Sequence, residues 1–267
     1  MPQLLPVNPV KQRLRAGDAA LGMNIRLGRS ADIARVAKAS GHDFIFIDTQ
    51  HSVFNLETIH HIAQAALAIG IAPLVRVKGI NDPDVSLLLD NAVTGIVYPD
   101  INNAKEAQRA VDVCRFAPLG KRSVVGGYPH FDYKSVPLSQ AVEELNEACL
   151  LVCMIETAEG LANIEEICAV PGIDVIHMGT NDFAANIGKA GKFDDPEVVA
   201  AQARVIEVAR KHGKFAGCGG NRNVERQVNA IRSGAQFVTT QTDISFLMAS
   251  AQEWVGGVRQ ALAAGSK

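Results

Sequence analysis

The amino-acid sequence predicts an α/β protein folded as a (β/α)8 TIM barrel, and three observations support this fold class. Eight short apolar runs alternate with longer amphipathic segments along the 267 residues. The runs are almost continuously apolar, which is typical of parallel strands covered on both faces. Eight such units in this length fit a closed barrel better than an open doubly wound sheet, and no G-x-G-x-x-G follows the first run.

The predicted strands recur along the whole chain, with helical patterns between most of them. They cover residues 20–25, 43–48, 72–77, 95–99, 150–156, 174–179, 214–219 and 236–240. The helical pattern after the second strand ends in Gly70, a residue suited to a helix C-cap. The pattern after the sixth strand has Asp195 as candidate N-cap, Pro196 in its first turn and Gly213 at its end.

One segment, residues 115–137, interrupts this alternation. It reads RFAPLGKRSVVGGYPHFDYKSVP and is rich in Gly, Pro and aromatic residues. So long a connection without periodicity predicts a functional loop or an interface arm. No linker-like composition divides the chain, so we expect a single domain over residues 1–267, with a short N-terminal arm before Asn8.

Composition argues against several classes of partner. A net charge of −2 and 5% aromatic residues do not favour binding to nucleic acid. No apolar run approaches the ~20 residues needed to span a bilayer, and the N-terminus lacks the pattern of a secretory signal. The five cysteines form no C-x-x-C pair, which indicates reduced cysteines in a cytoplasmic protein without a membrane partner.

Charged and polar side chains stand where several predicted strands end. They are Asp48, His51, Arg76, Glu156, Asn181 and Asp182. Active sites of TIM barrels lie at the carboxyl ends of the strands, so we expect these residues to converge on one mouth. By contrast, we expect His177, inside an apolar strand, to be a hydrogen-bonded core residue, and Trp254 to lie in the core or at an interface.

Glu156 and Asp182 follow adjacent predicted strands and are candidate ligands of one metal ion. Two carboxylates, with the other positions left to water or substrate, are the pattern expected for Mg2+ or Mn2+. The alternative is that Glu156 forms an ion pair with a Lys or Arg across the mouth. Arg76 adds a fixed cation beside this pair, which suits a substrate oxygen that becomes an enolate.

His51 is the candidate general base, because an imidazole titrates near neutral pH. Asp48 or Asp90 could orient it. The stretch GTND, which includes Asn181 and Asp182, offers backbone N–H groups to a substrate carboxylate. Arg122 is a second candidate anion contact, with a surface or interface role as the alternative.

These residues lie in stretches that resemble the HpcH/HpaI family of metal-dependent aldolases. The resemblance runs in order from about residue 20 to residue 240, through FIDTQHS, PLVRVKGINDPDVSLLLD, VYPDINNAKEA, RFAPLGKRSV, MIETAEGLANIEEI and HMGTNDFAANIG. It implies a barrel of the phosphoenolpyruvate/pyruvate-binding type that assembles as a homohexamer. It also implies a divalent cation on Glu156 and Asp182, either Mg2+ or Mn2+, with Co2+ as a further possibility.

The resemblance further implies roles for individual residues. Arg76 matches the arginine that polarises the keto oxygen, and His51 matches the histidine associated with proton transfer. Asp90 matches the acidic partner of that histidine, and Asp48 matches the first acid of the family's DGEH motif. The amides of Asn181 and Asp182 match those that bind the substrate carboxylate.

The chain departs from the family pattern at four places, one of which, GTND for the usual GPAD or GPND, should still present the same backbone donors. DTQH replaces DGEH, so Thr49 and Gln50 stand where Gly and Glu are usual. Met154 replaces a common Gln near the metal site, and CGGN at 218–221 differs where the aldehyde side is shaped. We expect these changes to leave the metal core intact and to alter the specificity for the aldehyde.

The predicted function is reversible cleavage of a 4-hydroxy-2-oxo acid to pyruvate, or a substituted pyruvate, and an aldehyde. The predicted partners are therefore a small 2-oxo acid and an aldehyde. No lysine stands at a strand end to form a Schiff base, which favours metal–enolate over imine chemistry. The alternatives are an acyl-CoA or citrate-type lyase on the same barrel, and a non-catalytic barrel that binds oxo acids.

Overall fold

The eight predicted strands form a closed parallel barrel in the order β1 to β8. The structure is a computed structural model that describes residues 8–220 and 222–264. The fold class predicted from the sequence is thereby confirmed. The predicted N-terminal arm before Asn8 lies outside the described residues.

Each strand begins and ends within two residues of its predicted bounds. The register is parallel throughout, and β1 pairs with both β2 and β8 to close the barrel. The strands are β1 (Ala20–Ile25), β2 (Phe44–Asp48), β3 (Ala72–Arg76), β4 (Gly95–Tyr98), β5 (Leu150–Ile155), β6 (Val175–Gly179), β7 (Phe215–Gly219) and β8 (Ala235–Thr242).

Helices occupy the connections between the strands. They are α1 (Pro9–Arg15), α2 (Asp32–Ala39), α3 (Leu56–Ile69), α4 (Val85–Asp90), α5 (Ala104–Cys114), α6 (Leu138–Ala148), α7 (Ala158–Ala162), α8 (Ile164–Ala169), α9 (Thr180–Asn186), α10 (Pro196–Lys211), α11 (Val224–Arg232) and α12 (Asp243–Ala264). The predicted caps are confirmed: Gly70 ends α3 with a φ of +71°, and the Asp195 side chain accepts from the N–H of Glu197 at the start of α10.

The interior of the barrel is filled by apolar side chains and closed at its amino-terminal end by α1. Val10 and Leu14 of this helix pack with the interior residues of the strands. The Asn8 side-chain amide donates to the carbonyls of Thr94, at 3.1 Å, and Ala148, at 3.0 Å, just before β4 and β5. With the bottom sealed, the opposite end is left as the open mouth.

Residues 115–137 contain little regular structure, as predicted, with one turn of 3-10 helix at Pro129–Phe131. They are nevertheless ordered by a small apolar cluster of their own. Phe116, Tyr128 and Phe131 pack there with Ala141 and Leu145 of α6. The segment is therefore a packed extension of the α5–α6 connection.

The last helix, α12, is exposed along most of its length and contributes little to the core. Every residue from 246 to 264 is exposed, and Trp254 is 79% exposed. The expectation of a core position for Trp254 is therefore wrong within the single chain, and the expectation of an interface position stays a prediction. A 22-residue helix with this many exposed apolar side chains is unusual for a protein that functions as a monomer.

Two further sequence expectations can be compared with the structure. All five cysteines are buried and unpaired with one another. Within residues 8–220 and 222–264, no helix is both long and apolar enough to cross a bilayer.

Candidate active site

A cavity of about 200 Å3 opens at the carboxyl end of the barrel. It brings together six of the residues predicted from the sequence, which are Asp48, His51, Arg76, Glu156, Asn181 and Asp182. They come from β2, β3, β5 and the start of α9 and from the turns that follow these strands. The parallel register explains the convergence, because all these strands end at the same rim.

Asp48 and Arg76 form a bidentate ion pair at the floor of this cavity. Arg76 donates from Nε to Asp48 Oδ1 at 3.1 Å and from Nη2 to Oδ2 at 2.8 Å. Burial alone would raise the pKa of Asp48, but the hydrogen bonds and charge of Arg76 hold that pKa below its ordinary value. The pair fixes the guanidinium plane and keeps Asp48 ionised.

Two of the five donor positions of Arg76 are used by Asp48, and Nη1 has no hydrogen bond within the described chain. Thr49 links the end of β2 to β3, because its hydroxyl donates to the Arg76 carbonyl at 2.7 Å. Thr49 is one of the two residues that depart from the family's DGEH motif. Gln50, the other, does not line the cavity.

Glu156 is 2% exposed and forms no ion pair with any described residue. The structure therefore does not show the ion pair with a Lys or Arg that was the alternative role of Glu156. Its Oε2 accepts from the backbone N–H of Asp100 at 3.0 Å, whereas its Oε1 is buried without a hydrogen-bond partner among the described residues. Burial, and then the charges of Asp100 and Asp182, raise the pKa of Glu156 to about 8.

Gly179, at the end of β6, makes room for this carboxylate. A Cβ at that position would lie 2.3 Å from Glu156 Oε1 and 2.6 Å from its Cγ. Asn181 and Asp182 follow immediately in the first turn of α9. The glycine therefore allows Glu156 to reach the same wall of the cavity as Asp182.

The residues present fit a divalent cation. Glu156 offers an oxygen that no described group satisfies, and Asp182 lines the same cavity. Carboxylate oxygens are the ligands that Mg2+ and Mn2+ prefer, with water or substrate completing the shell. In the described part of the chain no group of three or more His, Cys, Asp or Glu side chains forms a complete protein site. A cation held here would depend on small molecules for its remaining ligands.

His51 is exposed at the rim and lines the cavity. Its backbone N–H donates to Asp48 Oδ1 at 3.2 Å, and its carbonyl accepts from Arg26 Nη2 at 2.9 Å. The backbone is thus held from both sides. No described carboxylate binds its imidazole ring within the same chain.

Asp90 and Arg122 are not brought into this cavity. They bind each other, with Arg122 Nη2 donating to Asp90 Oδ1 at 2.6 Å, and Arg122 also lies over the Phe116 ring. The pair therefore ties the end of α4 to the segment 115–137. Neither side chain lines the cavity of its own chain.

Among the basic side chains that line the cavity, Arg26 and Arg222 were not singled out by sequence reasoning, and His177 was not expected there. His177 was expected to be a hydrogen-bonded core residue, but its Nδ1 has no partner among the described residues. Burial, and then the charge of Arg76, lower its pKa to about 3, so the ring is neutral. Gly217 and Gly219 of β7 leave the space that this ring occupies, since a Cβ at either would lie within 2.7 Å of it.

Comparisons with known proteins find relatives that match nearly the whole chain. The chain is 33% identical over 259 residues to the 4-hydroxy-4-methyl-2-oxoglutarate aldolase of Hapsidospora irregularis, covering 94% of each chain. It is 34% identical to the hydroxypyruvate/pyruvate aldolase of Rhizorhabdus wittichii, covering 95% of this chain and 99% of the relative.

A solved structure, the HpcH/HpaI aldolase from Desulfitobacterium hafniense, superposes with a TM-score of 0.89 at 26% identity. The match covers 93% of this chain and 96% of that one. The family model for HpcH/HpaI aldolase/citrate lyase matches residues 25–249. The chain, with its acidic barrel mouth, therefore belongs to the HpcH/HpaI aldolase/citrate lyase family of carbon–carbon lyases.

Proposed function

We propose that the chain cleaves a 4-hydroxy-2-oxo acid reversibly to pyruvate, or a substituted pyruvate, and an aldehyde or ketone. The observation that carries this proposal is the meeting of Glu156, Asp182 and a pre-oriented Arg76 at one cavity. Two carboxylates suit a cation, and a fixed guanidinium suits the oxygen on which negative charge develops. The aldolase names of the relatives support the same reaction class.

In this proposal Glu156 and Asp182 hold Mg2+ or Mn2+, with Co2+ as a further candidate. The cation supplies a Lewis acid that binds 2-oxo acid oxygens and stabilises negative charge. Arg76 Nη1, which is free of other partners in the described chain, donates to the keto oxygen of the substrate. The backbone N–H groups of Asn181 and Asp182 bind the substrate carboxylate.

Cleavage breaks the bond between C3 and C4 of the substrate. The C4 hydroxyl gives its proton to His51 as the C4–O bond becomes a carbonyl, and the electron pair of the broken bond moves into the enolate of pyruvate. A proton then returns to C3. Asp48 keeps Arg76 charged and aligned through both steps, because their bidentate contact fixes the guanidinium.

We also propose that the protein is a single cytoplasmic domain over residues 1–267 that assembles as a homohexamer. The exposed apolar face of α12, with Phe246, Leu247 and Trp254, supports burial against a second copy. Sedimentation velocity should therefore show an oligomer, and Trp254→Glu should shift it towards smaller species. A monomeric wild-type chain would contradict this part of the proposal.

Asp90 and Arg122 are proposed to act from a neighbouring copy, because they do not line the cavity of their own chain. Asp90 would then orient His51, and Arg122 would contact the substrate or hold Asp90. Co-expression of His51→Ala and Asp90→Ala chains should restore part of the activity that each variant lacks alone. Absence of any restoration in mixed oligomers would limit Asp90 to its structural contact with Arg122.

The test of the reaction is pyruvate release from a panel of 4-hydroxy-2-oxo acids with Mg2+, Mn2+ or EDTA. We expect turnover that requires the cation, is not trapped by borohydride and is lost in Glu156→Ala. Exchange of the pyruvate methyl protons with solvent deuterium reports on enolate formation alone. Binding of oxo acids without turnover or exchange under any metal would favour a non-catalytic barrel instead.

A further inference from the structure

Asp100 lies in the turn after β4, at the carboxyl-end rim of the barrel, and was not singled out by sequence reasoning. Its backbone has a φ of +51°, in the left-handed region that residues other than glycine adopt infrequently. Asp and Asn are the residues that tolerate this region best after glycine. A residue is kept in such a conformation only where the surrounding contacts hold it.

Three hydrogen bonds hold this turn. The Asp100 N–H donates to Glu156 Oε2 at 3.0 Å, and the N–H of Ile101 donates to the Met154 carbonyl at 3.1 Å, so the turn is fixed to β5 and the residue that follows it. The Asp100 carbonyl accepts from Asn102 Nδ2 at 3.0 Å. The left-handed turn thus binds one oxygen of Glu156 and leaves the buried Oε1 without a described partner.

The carboxylate of Asp100, by contrast, is unbound. Its side chain is exposed, and no hydrogen bond or ion pair joins it to a residue that the structure describes. Partial burial, and then the charge of Asp182, raise the pKa of Asp100 above its ordinary value, and the charge of Asp100 helps to raise the pKa of Glu156. Three carboxylates therefore repel one another at this part of the rim. A cation bound among them would remove that repulsion.

We infer that Asp100 is a third acid of the cation site, which binds the cation through its water ligands, while its left-handed turn positions Glu156 for direct ligation. This inference rests on the proposed function. Direct ligation by all three acids is not what the geometry favours, because no three His, Cys, Asp or Glu side chains of the described chain form a site for one ion. Mg2+ usually keeps several water molecules when a protein supplies one or two carboxylates, and an ionised carboxylate accepts from such waters.

The test is calorimetry of Mn2+ binding to the chain in the absence of substrate. Asp100→Asn removes the charge but retains a residue that tolerates the left-handed turn, so the N–H on Glu156 stays in place. We expect it to bind Mn2+ about 10-fold more weakly, as for the loss of a partner outside the ligand set. Asp18→Asn, at an exposed acid before β1 and so at the opposite end of the barrel, makes the same change of charge and should bind as the wild type does.

Two further variants separate the turn from the carboxylate. Asp100→Gly adopts the left-handed conformation without strain and should match Asp100→Asn. Asp100→Val opposes that conformation, because its side chain is branched at Cβ. It should weaken Mn2+ binding about 100-fold, since the N–H is then displaced from Glu156 as well. Equal affinities of the Asn and Val variants would overturn the role of the turn.

The outcomes distinguish this inference from the proposed reaction. Unchanged Mn2+ affinity in Asp100→Asn would overturn the role of the carboxylate and leave the reaction untouched. A loss as complete as that in Glu156→Ala would make Asp100 a direct ligand and would overturn binding through water. Weaker Mn2+ binding in Asp100→Asn, together with a wild type that releases no pyruvate from any substrate, would support Asp100 and overturn the proposed reaction.

Discussion

Two parts of the barrel mouth differ in how firmly their side chains are held. The acidic sector, from β2 to the start of α9, carries Asp48, Glu156 and Asp182, and the basic sector, from β7, β8 and β1, carries Arg26 and Arg222. In the acidic sector Asp48 and Arg76 are bound to each other, and Glu156 is buried and accepts from the Asp100 N–H. In the basic sector the Arg222 side chain is exposed and has no described partner. The difference indicates that the groups proposed to stabilise negative charge are pre-organised, whereas the Arg222 side chain is not held by any residue that the structure describes.

The largest effect is expected from Arg76→Met, which breaks the pair at the base of the acidic sector. We expect kcat to fall about 10²- to 10³-fold, as for the loss of a donor to a developing oxyanion. The free energy of unfolding should fall by up to about 3–5 kcal/mol, because the buried Asp48 keeps only the half-buried Arg26, 3.6 Å away, as a counter-charge. Steady-state kinetics and urea unfolding measure the two effects.

The double variant Arg76→Met, Asp48→Asn separates the two effects of that substitution. Removing the Asp48 charge should restore most of the lost stability without restoring kcat. If the double variant recovers activity together with stability, Arg76 is a structural residue and the acidic sector is not organised around its guanidinium.

A smaller effect is expected from Gly179→Ala, which tests whether Glu156 must occupy its observed position. The added Cβ would fall 2.3 Å from Glu156 Oε1, so the carboxylate has to move. We expect activity to fall about 10- to 100-fold and stability by about 1–3 kcal/mol, as for an overpacked core. Mn2+ binding by calorimetry should weaken in parallel.

Gly257→Ala is the control, because a Cβ on that exposed helical residue meets nothing within 4 Å. Because α12 is also the face proposed for assembly, the control is measured as Mn2+ affinity, which the substitution should leave unchanged. Unchanged activity in Gly179→Ala would show that the position of Glu156 is not critical. The acidic sector would then not need to be more firmly held than the basic sector.

The smallest effect is expected from pH, through the buried His177 of β6. Burial, and then Arg76, lower its folded-state pKa to about 3, below the ordinary value of about 6.5. The unfolded chain therefore binds more protons between these values, and the stabilising contribution present above pH 6.5 is lost as pH falls towards 3. The slope from this group is at most about 1.4 kcal/mol per pH unit.

Urea unfolding of the wild type and of His177→Asn at pH 7.5, 6 and 5 measures that slope. The variant should lose stability less steeply on acidification, since the groups common to both proteins cancel in the comparison. Parallel curves would show that the ring is protonated or solvated in the folded state.

The sequence predicted the barrel and most of its mouth because both depend on local patterns. Buried parallel strands are apolar along their length, so polar residues such as Asp48 and Glu156 mark where they end. The acidic sector was therefore visible in the sequence. Its internal arrangement was not, because the contact between Asp48 and Arg76 depends on the register of β2 against β3.

The basic sector was largely missed for a related reason. Arg26 and Arg222 lie in turns, where arginine is common and carries no pattern. The importance of His177 was hidden by its apolar strand, although the glycines of β7 that accommodate it were a signal in retrospect. Asp90, a candidate partner of His51, and Arg122, a candidate anion contact from the long segment, were assigned to a cavity that they do not reach in their own chain.

The seal at the bottom of the barrel has a practical consequence for handling the protein. Asn8 and Lys11 hold α1 across the amino-terminal ends of the strands, with Lys11 Nζ 3.0 Å from Asp174 and the Asn8 amide on Thr94 and Ala148. A carrier or resin joined ahead of this helix would therefore attach at the pole opposite the substrate entrance. Immobilisation through that end should leave the mouth facing the flowing solution, whereas attachment through α12 would occupy the face proposed for assembly.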